Sequence, residues 1–373
     1  MRKTIIVNAT ALDSSGALTI LKQFVSHAKN DHLNKYIIFS PINVELDCSD
    51  NMVLFKINKK KWLSRIFWDC YGLSKFLKVN KITCDLFISL QNTSVNLDKS
   101  IPQYIYIHQP LPFSNMKIRV DEISDVKLIL YKFFYSFFII FHHNRNSNYI
   151  VQTSWMKDAL IKKWPDKITN NNVTVIKPDY EFDLSKNING NVIADSECFR
   201  MLYPATPLKY KNHLLILRAI ASMKDTDAID KRILFGVTFR QGEYKKFDRL
   251  VFSLGLESNI EYLGFLSREQ LIEHYIKADC VVFPSYIETF GLPLSEAASL
   301  NKKIVASDLP YARDVLSGYH KVSFAKYDDW SEWSDKLQQV YIDEYSVDKC
   351  DDKQYYILEK NTLGWSEFFE FLK

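Results

Sequence analysis

The chain has 373 residues, 47% of them hydrophobic, and a formal net charge of +4. That length is too great for one ordinary core and suits two domains of typical size, and the apolar content excludes a disordered chain. So mild a charge makes no case for nucleic acid as a partner, and six scattered cysteines with no C-x-x-C pair and no His/Cys cluster at zinc spacing give no zinc module. The cysteines read as buried thiols of a reducing compartment. The start, Met1-Arg2-Lys3-Thr4, lacks the apolar core and cleavage site of a signal peptide, so the expected location is the cytoplasm.

In chain order, Thr4 to Asn8 predicts a buried strand. A loop from Ala9 to Gly16 follows, then a helix from about Ala17 with Ile20, Leu21 and Phe24 on one face. A strand, a glycine-bearing loop and a helix at the start of a chain point to a doubly wound sheet, although the G-x-G-x-x-G fingerprint is absent. Tyr36 to Phe39 and Val53 to Phe55 read as further strands. Between Lys56 and Lys81 the character changes: Lys56, Lys59, Lys60, Lys61, Arg65, Lys75, Lys78 and Lys81 accompany a single acid, Asp69. Trp62, Leu63, Ile66, Phe67, Cys70, Tyr71 and Leu77 fall among them at helical spacing. Two readings stand side by side: a basic helix lying on an anionic membrane surface, or an apolar face packed on the sheet with solvated lysines.

Asp85 to Leu90 and Tyr104 to Ile107 predict two more buried strands. His108, after the second, and Gln91 and Asn92, after the first, lie where open α/β sheets keep their ligands. Tyr131 to Phe141 is the most apolar stretch, well short of the roughly 20 residues that span a bilayer. It reads as a helix buried in the domain, with a helix dipping into a membrane interface as the other reading. Tyr149 to Ser154 predicts the last strand of the first domain, with Ser154 capping a helix from Trp155 to Lys163. Val173 to Ile176 is a short apolar run, and the polar passage Asp179 to Glu197 reads as an interdomain linker.

The second half starts a new sheet at Phe199 to Tyr203, and the run Pro207-Leu208-Lys209-Tyr210-Lys211-Asn212-His213 leads into an amphipathic helix. Arg232 to Val237 and Asn259 to Ser267 read as strands, with Ser267 capping the helix that follows. Val281 to Phe283 predicts a buried strand closed by Pro284-Ser285, and Lys303 to Asp308 a last one. Between these two, Gly291 permits close backbone approach and Pro293 fits the first turn of a helix through Leu294, Glu296 and Leu300. A strand, a glycine turn and a helix N-terminus make an anion seat. Glu288 and Glu296, eight positions apart, can both face it, and carboxylates there suit sugar hydroxyls.

The frame Pro284, Ser285, Glu288, Phe290, Gly291, Leu292, Pro293, Glu296 and Ala297 resembles the signature of the family 4 retaining glycosyltransferases, in which an E-x7-E pair sits among the same residues. That resemblance implies the GT-B fold: α/β, with two Rossmann-like doubly wound parallel-sheet domains facing a central cleft. An acceptor-binding domain would span 1–180, a donor-binding domain 181–357, and a C-terminal helix 358–373 would pack back on the first. It implies that Glu288 contacts the donor sugar, that Glu296 binds ribose hydroxyls, and that N–H groups around Thr289, Phe290, Gly291 and Leu292 approach the diphosphate. Lys211 takes the role of the family's diphosphate-binding lysine, and Gly264 and Phe265 lie where the family meets the nucleobase. Gly236 lies where a base or sugar would approach. By the same resemblance His108 faces the reacting sugar or the acceptor, and Gly16, Gln91 and Asn92 line the cleft. The family's arginine, five or six residues before the lysine, is replaced by Ala205 and Thr206, leaving Lys209 or Arg240 as the second charge, or backbone N–H groups alone.

The implied reaction is retaining transfer of a sugar from a UDP-, GDP- or dTDP-linked donor to a glycan or lipid-linked acceptor, as in polysaccharide, O-antigen or lipopolysaccharide assembly. No D-x-D run stands out, so no metal and no further cofactor is expected. The rival readings are a sugar-nucleotide epimerase or inverting transferase on the same fold, and a non-enzymatic membrane or carbohydrate scaffold.

Overall fold

The computed structural model describes residues 2–13, 15–58, 62–114, 123–179, 197–224, 226, 229–230, 232–345 and 363–372, with backbone alone at 15 and 123–128. Residues 180–196 of the expected linker, 59–61 of the basic stretch and Cys350 lie outside the described residues. The chain forms two compact units, Met1–Asp179 with Asn361–Lys373, and Tyr180–Lys360. Among the described residues the α-helices are α1 (Ser15–Lys29), α2 (Trp62–Phe67), α3 (Leu73–Val79), α4 (Ile123–Ile140), α5 (Ser154–Lys163), α6 (His213–Lys224), α7 (Lys245–Ser253), α8 (Arg268–Lys277), α9 (Leu292–Ser299), α10 (Pro310–Val315), α11 (Trp330–Tyr345) and α12 (Trp365–Leu372).

The first unit is built on β1 (Thr4–Asn8), β2 (Lys35–Pro41), β3 (Met52–Ile57), β4 (Leu86–Ser89), β5 (Gln103–Ile107), β6 (Ser147–Val151) and β7 (Val173–Val175), all parallel, in the order β3-β2-β1-β4-β5-β6-β7. Both faces of the central strands are covered, which is why β1 and β4 are almost wholly apolar runs and not alternating ones. After β3 the chain crosses back to the far side of β1, so the carboxyl ends of β1 and β4 flank the point where the winding reverses. On one face α1 packs with α12: the Trp365 ring is fully buried, stacks on Tyr106 at 5.1 Å between centroids and meets Phe24 edge-on at 5.8 Å. Gly16 lies inside the first turn of α1 and not in the loop before it, with nothing within 4 Å of the place a Cβ would take.

The basic stretch is helical, but broken by a π turn over Trp68–Gly72 between α2 and α3. The wider turn changes which residues face inward. Trp68, Asp69, Leu73 and Leu77 are buried, while Leu63, Phe67 and Tyr71 point to solvent. Gly72 makes this possible, since a Cβ there would stand 2.8 Å from the Trp68 ring. The apolar face read from the sequence is therefore split in two. In α4 likewise only part is core: Tyr135 and Ile139 are buried, whereas Phe133 and Phe134 are 69% and 61% exposed, which corrects the buried reading of that helix.

The second unit repeats the winding with β8 (Cys198–Tyr203), β9 (Arg232–Val237), β10 (Ile260–Tyr262), β11 (Cys280–Phe283), β12 (Lys303–Ser307) and β13 (Val322–Ala325), in the parallel order β10-β9-β8-β11-β12-β13. Lys303–Ser307 is thus not the last strand, and the strand expected over Asn259–Ser267 is only Ile260–Tyr262. Ser267 caps α8 as its sequence predicts: its Oγ accepts from the Gln270 N–H at 3.3 Å while its own N–H donates to Gln270 Oε1 at 2.9 Å. Ser154 does not cap α5; it is the first helical residue, and Thr153 holds the cap position in extended backbone. Cys198 and Cys280 are buried, but Cys48 is exposed and Cys70 and Cys84 are half-buried, so the buried-thiol reading holds for only part of the set.

Candidate functional site

In the second unit three loops at the carboxyl ends of β8, β11 and β13 are stitched together. After β8 the chain makes a 3₁₀ turn, Lys209–Lys211, closed by Asn212 in the left-handed region at φ 61°. The Asn212 amide donates to the Tyr327 carbonyl at 2.8 Å and to the Pro284 carbonyl at 3.3 Å, and the Tyr286 N–H donates to the Tyr210 carbonyl at 3.0 Å. From below, the Tyr203 hydroxyl donates to the Lys211 carbonyl at 2.8 Å. Asparagine suits both demands on position 212, since it tolerates left-handed backbone and carries two amide donors.

The Lys211 stem is held against aromatic rings, its Nζ 5.6 Å from the Tyr210 centroid and 5.8 Å from that of Phe283. From there the ammonium donates to Glu288 Oε1, with only 16% and 15% of the two side chains exposed. Burial, followed by the Glu288 charge, pushes the Tyr210 phenol up to about 12, so it stays neutral beside the pair. The sequence reading assigned Lys211 and Glu288 separate contacts, and the structure joins them as one ion pair across two loops.

Gly291 leads into α9 at φ 81°, and a Cβ there would stand 3.3 Å from the Phe283 ring. Only glycine meets both conditions without strain. No side chain caps α9, and Pro293 sits in its first turn. The helix thus begins with uncapped N–H groups at the end of the loop carrying Glu288, Thr289 and Phe290, of which Thr289 and Phe290 are buried. Glu296, further along α9, accepts a hydrogen bond from the Tyr275 hydroxyl of α8 at 2.9 Å, and burial holds its carboxyl above the usual range. At the end of β10, Gly264 has φ 68° and packs beside the Arg240 side chain, while Phe265 is 93% exposed, an open aromatic face. Arg240 therefore lies beside the expected base contacts, and Lys209 in the turn of Lys211. Gly236 lines a pocket with Leu202 and Leu263, whose side chains would stand 3.5 and 3.2 Å from a Cβ there. His213, buried among the Tyr203 and Phe239 rings, serves packing.

In the first unit the expected residues fall into two linked groups. Asn92, at φ 69°, accepts the His108 N–H through Oδ1 at 2.6 Å, and His108 Nε2 lies 3.0 Å from the Leu90 carbonyl. The Asn92 Nδ2, a donor, stands 3.2 Å from the same Nε2, so this nitrogen has an acceptor and a donor beside it and the tautomer follows from which of the two it engages. Burial lowers the His108 pKa to about 4, so the ring is neutral near pH 7. Gln91 belongs to another network, centred on Asp69. Asn8 and Gln91 donate to Asp69 Oδ1 at 3.0 and 3.1 Å, and Thr93 to Oδ2 at 2.7 Å. Asp69 was not singled out in the sequence. Its one sequence signal, a lone acid among lysines, reads as a solvated charge until the π turn buries it. Even with three donors, burial raises its pKa to about 7.

Residues 190–357 match the family model described as glycosyl transferases group 1. Over 142 residues the chain is 31% identical to a D-inositol 3-phosphate glycosyltransferase of Corynebacterium diphtheriae, covering 36% of this chain and 33% of that one. It is 29% identical over 92 residues to the O-antigen chain mannosyltransferase RfbU of Salmonella typhimurium, covering 25% and 26%. The matches thus span about a third or less of these relatives' lengths. Among solved structures, Anabaena Alr3699/HepE in complex with UDP and glucose superposes with a TM-score of 0.61 at 13% identity, over 92% of this chain and 90% of that one. At that identity the likeness shows the fold. The two parallel-sheet Rossmann-like units have the GT-B fold, and the second unit matches the glycosyl transferases group 1 model over 190–357.

Proposed function

We propose that the protein is a retaining glycosyltransferase that moves a sugar from a nucleotide-diphosphate donor to a hydroxyl of a glycan or lipid-linked acceptor, without a metal ion. The observation that carries this reading is the Lys211–Glu288 pair beside the uncapped start of α9. As the glycosidic bond to the diphosphate breaks, negative charge builds on the β-phosphate. Lys211 and the N–H groups after Gly291 are set in advance to receive it. Glu288 then accepts hydrogen bonds from the donor sugar, Glu296 from the ribose, and Phe265 offers a ring to the base. The HepE complex, named for UDP and glucose, supports a UDP-linked donor, and RfbU, named for the O-antigen chain, supports an acceptor in surface-polysaccharide or lipopolysaccharide assembly.

A place on the inner face of the cell membrane fits the first unit's surface. Trp62 of α2 meets Phe138 of α4 edge-on at 5.3 Å, so the two helices adjoin, and Leu63, Phe67, Phe133, Phe134 and Phe137 are all exposed on them. Lys75, Lys78 and Lys81 are exposed in and just after α3. Exposed aromatics beside lysines suit an anionic bilayer interface. Among the described residues no helix is long and apolar enough to cross a membrane. Vesicles containing anionic lipid should co-sediment the protein, less so as salt rises, and equal recovery on neutral vesicles would remove this part of the reading.

The transfer itself is tested by supplying candidate sugar nucleotides and acceptors, with chelator present, and assigning the product anomer by NMR. Retention is expected. Lys211→Ala and Glu288→Ala should each lower turnover at least about 100-fold if the groups act in the transition state. An inverted product, or donor epimerised without acceptor, would reject the proposal.

A further inference from the structure

Between the π turn and α4 the first unit holds a pocket of about 90 Å³ that opens to solvent. Its polar end is Asp69, Gln91 and Thr93, and its apolar wall includes Trp62, Phe138 and Phe141. The polar end lies where the winding of the sheet reverses: Asn8 ends β1, and Gln91 and Thr93 follow β4, the adjacent strand. Open parallel sheets bind ligands outside the carboxyl ends of their strands at such a point.

Asp69 supplies a specific contact. A carboxylate has about four acceptor directions. Two at Oδ1 are taken by Asn8 and Gln91, and one at Oδ2 by Thr93. The second direction at Oδ2 has no donor among the described residues, and Asp69 lines the pocket. A neutral amide could tie these loops together without placing a charge in the core, where burial opposes ionisation. Keeping a carboxylate there, against that cost, is what a site for a hydroxyl donor needs.

We propose that this pocket binds the acceptor and selects an amphiphile, taking a headgroup hydroxyl on Asp69 and an apolar chain along Trp62, Phe138 and Phe141. This rests on the reading of the chain as a sugar transferase and adds the place and chemistry of its second substrate. The wall continues into the exposed aromatics of α2 and α4, so a long chain has an apolar path out of the pocket.

The probe is n-octyl β-D-glucopyranoside, kept below its micelle-forming concentration and titrated calorimetrically onto the full chain, with methyl β-D-glucopyranoside as the tail-less control. Saturable one-site binding is expected for the octyl glycoside and binding at least tenfold weaker for the methyl one. Asp69→Asn places an N–H near the open acceptor direction and should weaken the octyl glycoside about tenfold. Phe138→Leu, a milder change in the wall, should weaken it a few-fold. Phe252→Ala, at a 77% exposed position of the other unit, should change nothing and reports non-specific detergent binding. Equal binding of the two glycosides, or parent-like binding by both pocket variants, would overturn the proposal. If the pocket behaves as expected but no sugar nucleotide is turned over, the transfer reading falls and the pocket stands. If sugar is transferred while both variants bind like the parent, the pocket assignment falls alone.

Discussion

Asp69→Asn should change how stability depends on pH, in a direction fixed by the buried carboxyl. The folded-state pKa of Asp69 is raised from 3.8 to about 7 by burial, which outweighs its three donors and the nearby Arg65 charge. Between those values the folded state holds a proton that the unfolded state has released. The stabilisation is therefore full below the unfolded pKa and is lost as pH rises through about 7. One pKa unit is about 1.4 kcal/mol, so a shift of roughly 3 units has a ceiling of about 4 kcal/mol. Water reaching the pocket screens part of it, which leaves about 2 kcal/mol as the working expectation over pH 5 to 8. The asparagine does not titrate, so the variant should gain stability relative to the parent by about that amount across the range. Urea titrations read by hydrogen-exchange mass spectrometry on peptides of β1 and β4 isolate the first unit, which matters because two units need not unfold together. A parent-minus-variant difference that stays flat with pH, or falls as pH drops, would refute the reasoning.

Trp365→Ala should destabilise the first unit by about 3–5 kcal/mol, because the ring is fully buried against Tyr106 and Phe24; the same exchange experiment should leave β11 and β12 unchanged. Gly291→Ala should cost about 1–2 kcal/mol from its left-handed backbone and weaken sugar-nucleotide binding by tilting the start of α9, as calorimetry would show. His108 should remain neutral from pH 7 to 5, because burial lowers its pKa to about 4; ¹⁵N NMR showing a titration near the ordinary value would contradict that.

The loop leading into α9 was legible because its chemistry is local. Glycine at 291, proline at 293 and two acids eight apart each carry meaning in their own few residues, and the capping box at Ser267 is of the same kind. Asp69 was not legible: its burial depends on a π turn and on partners at positions 8, 91 and 93, none near it in sequence. The faces of α4 were hidden for a different reason. A stretch as uniformly apolar as Tyr131 to Phe141 has no polar side to mark, so pattern alone cannot tell that Phe133 and Phe134 turn outward while Tyr135 turns in. β13 escaped because Val322–Ala325 is only four residues, three of them half-buried at the sheet edge. Lys211 was picked out, but its pairing with Glu288 joins positions 77 apart and needed the fold.

The account depends most on the second unit holding a pyrophosphate-linked sugar at Lys211 and the start of α9. Calorimetric titration of UDP-, GDP- and dTDP-sugars into the full chain and into Lys211→Met tests this directly. One donor should bind at a single site in the parent and at least about tenfold more weakly in the variant, the loss of a charge-assisted contact. Equal binding to both proteins, or no binding of any sugar nucleotide to the parent, would contradict it.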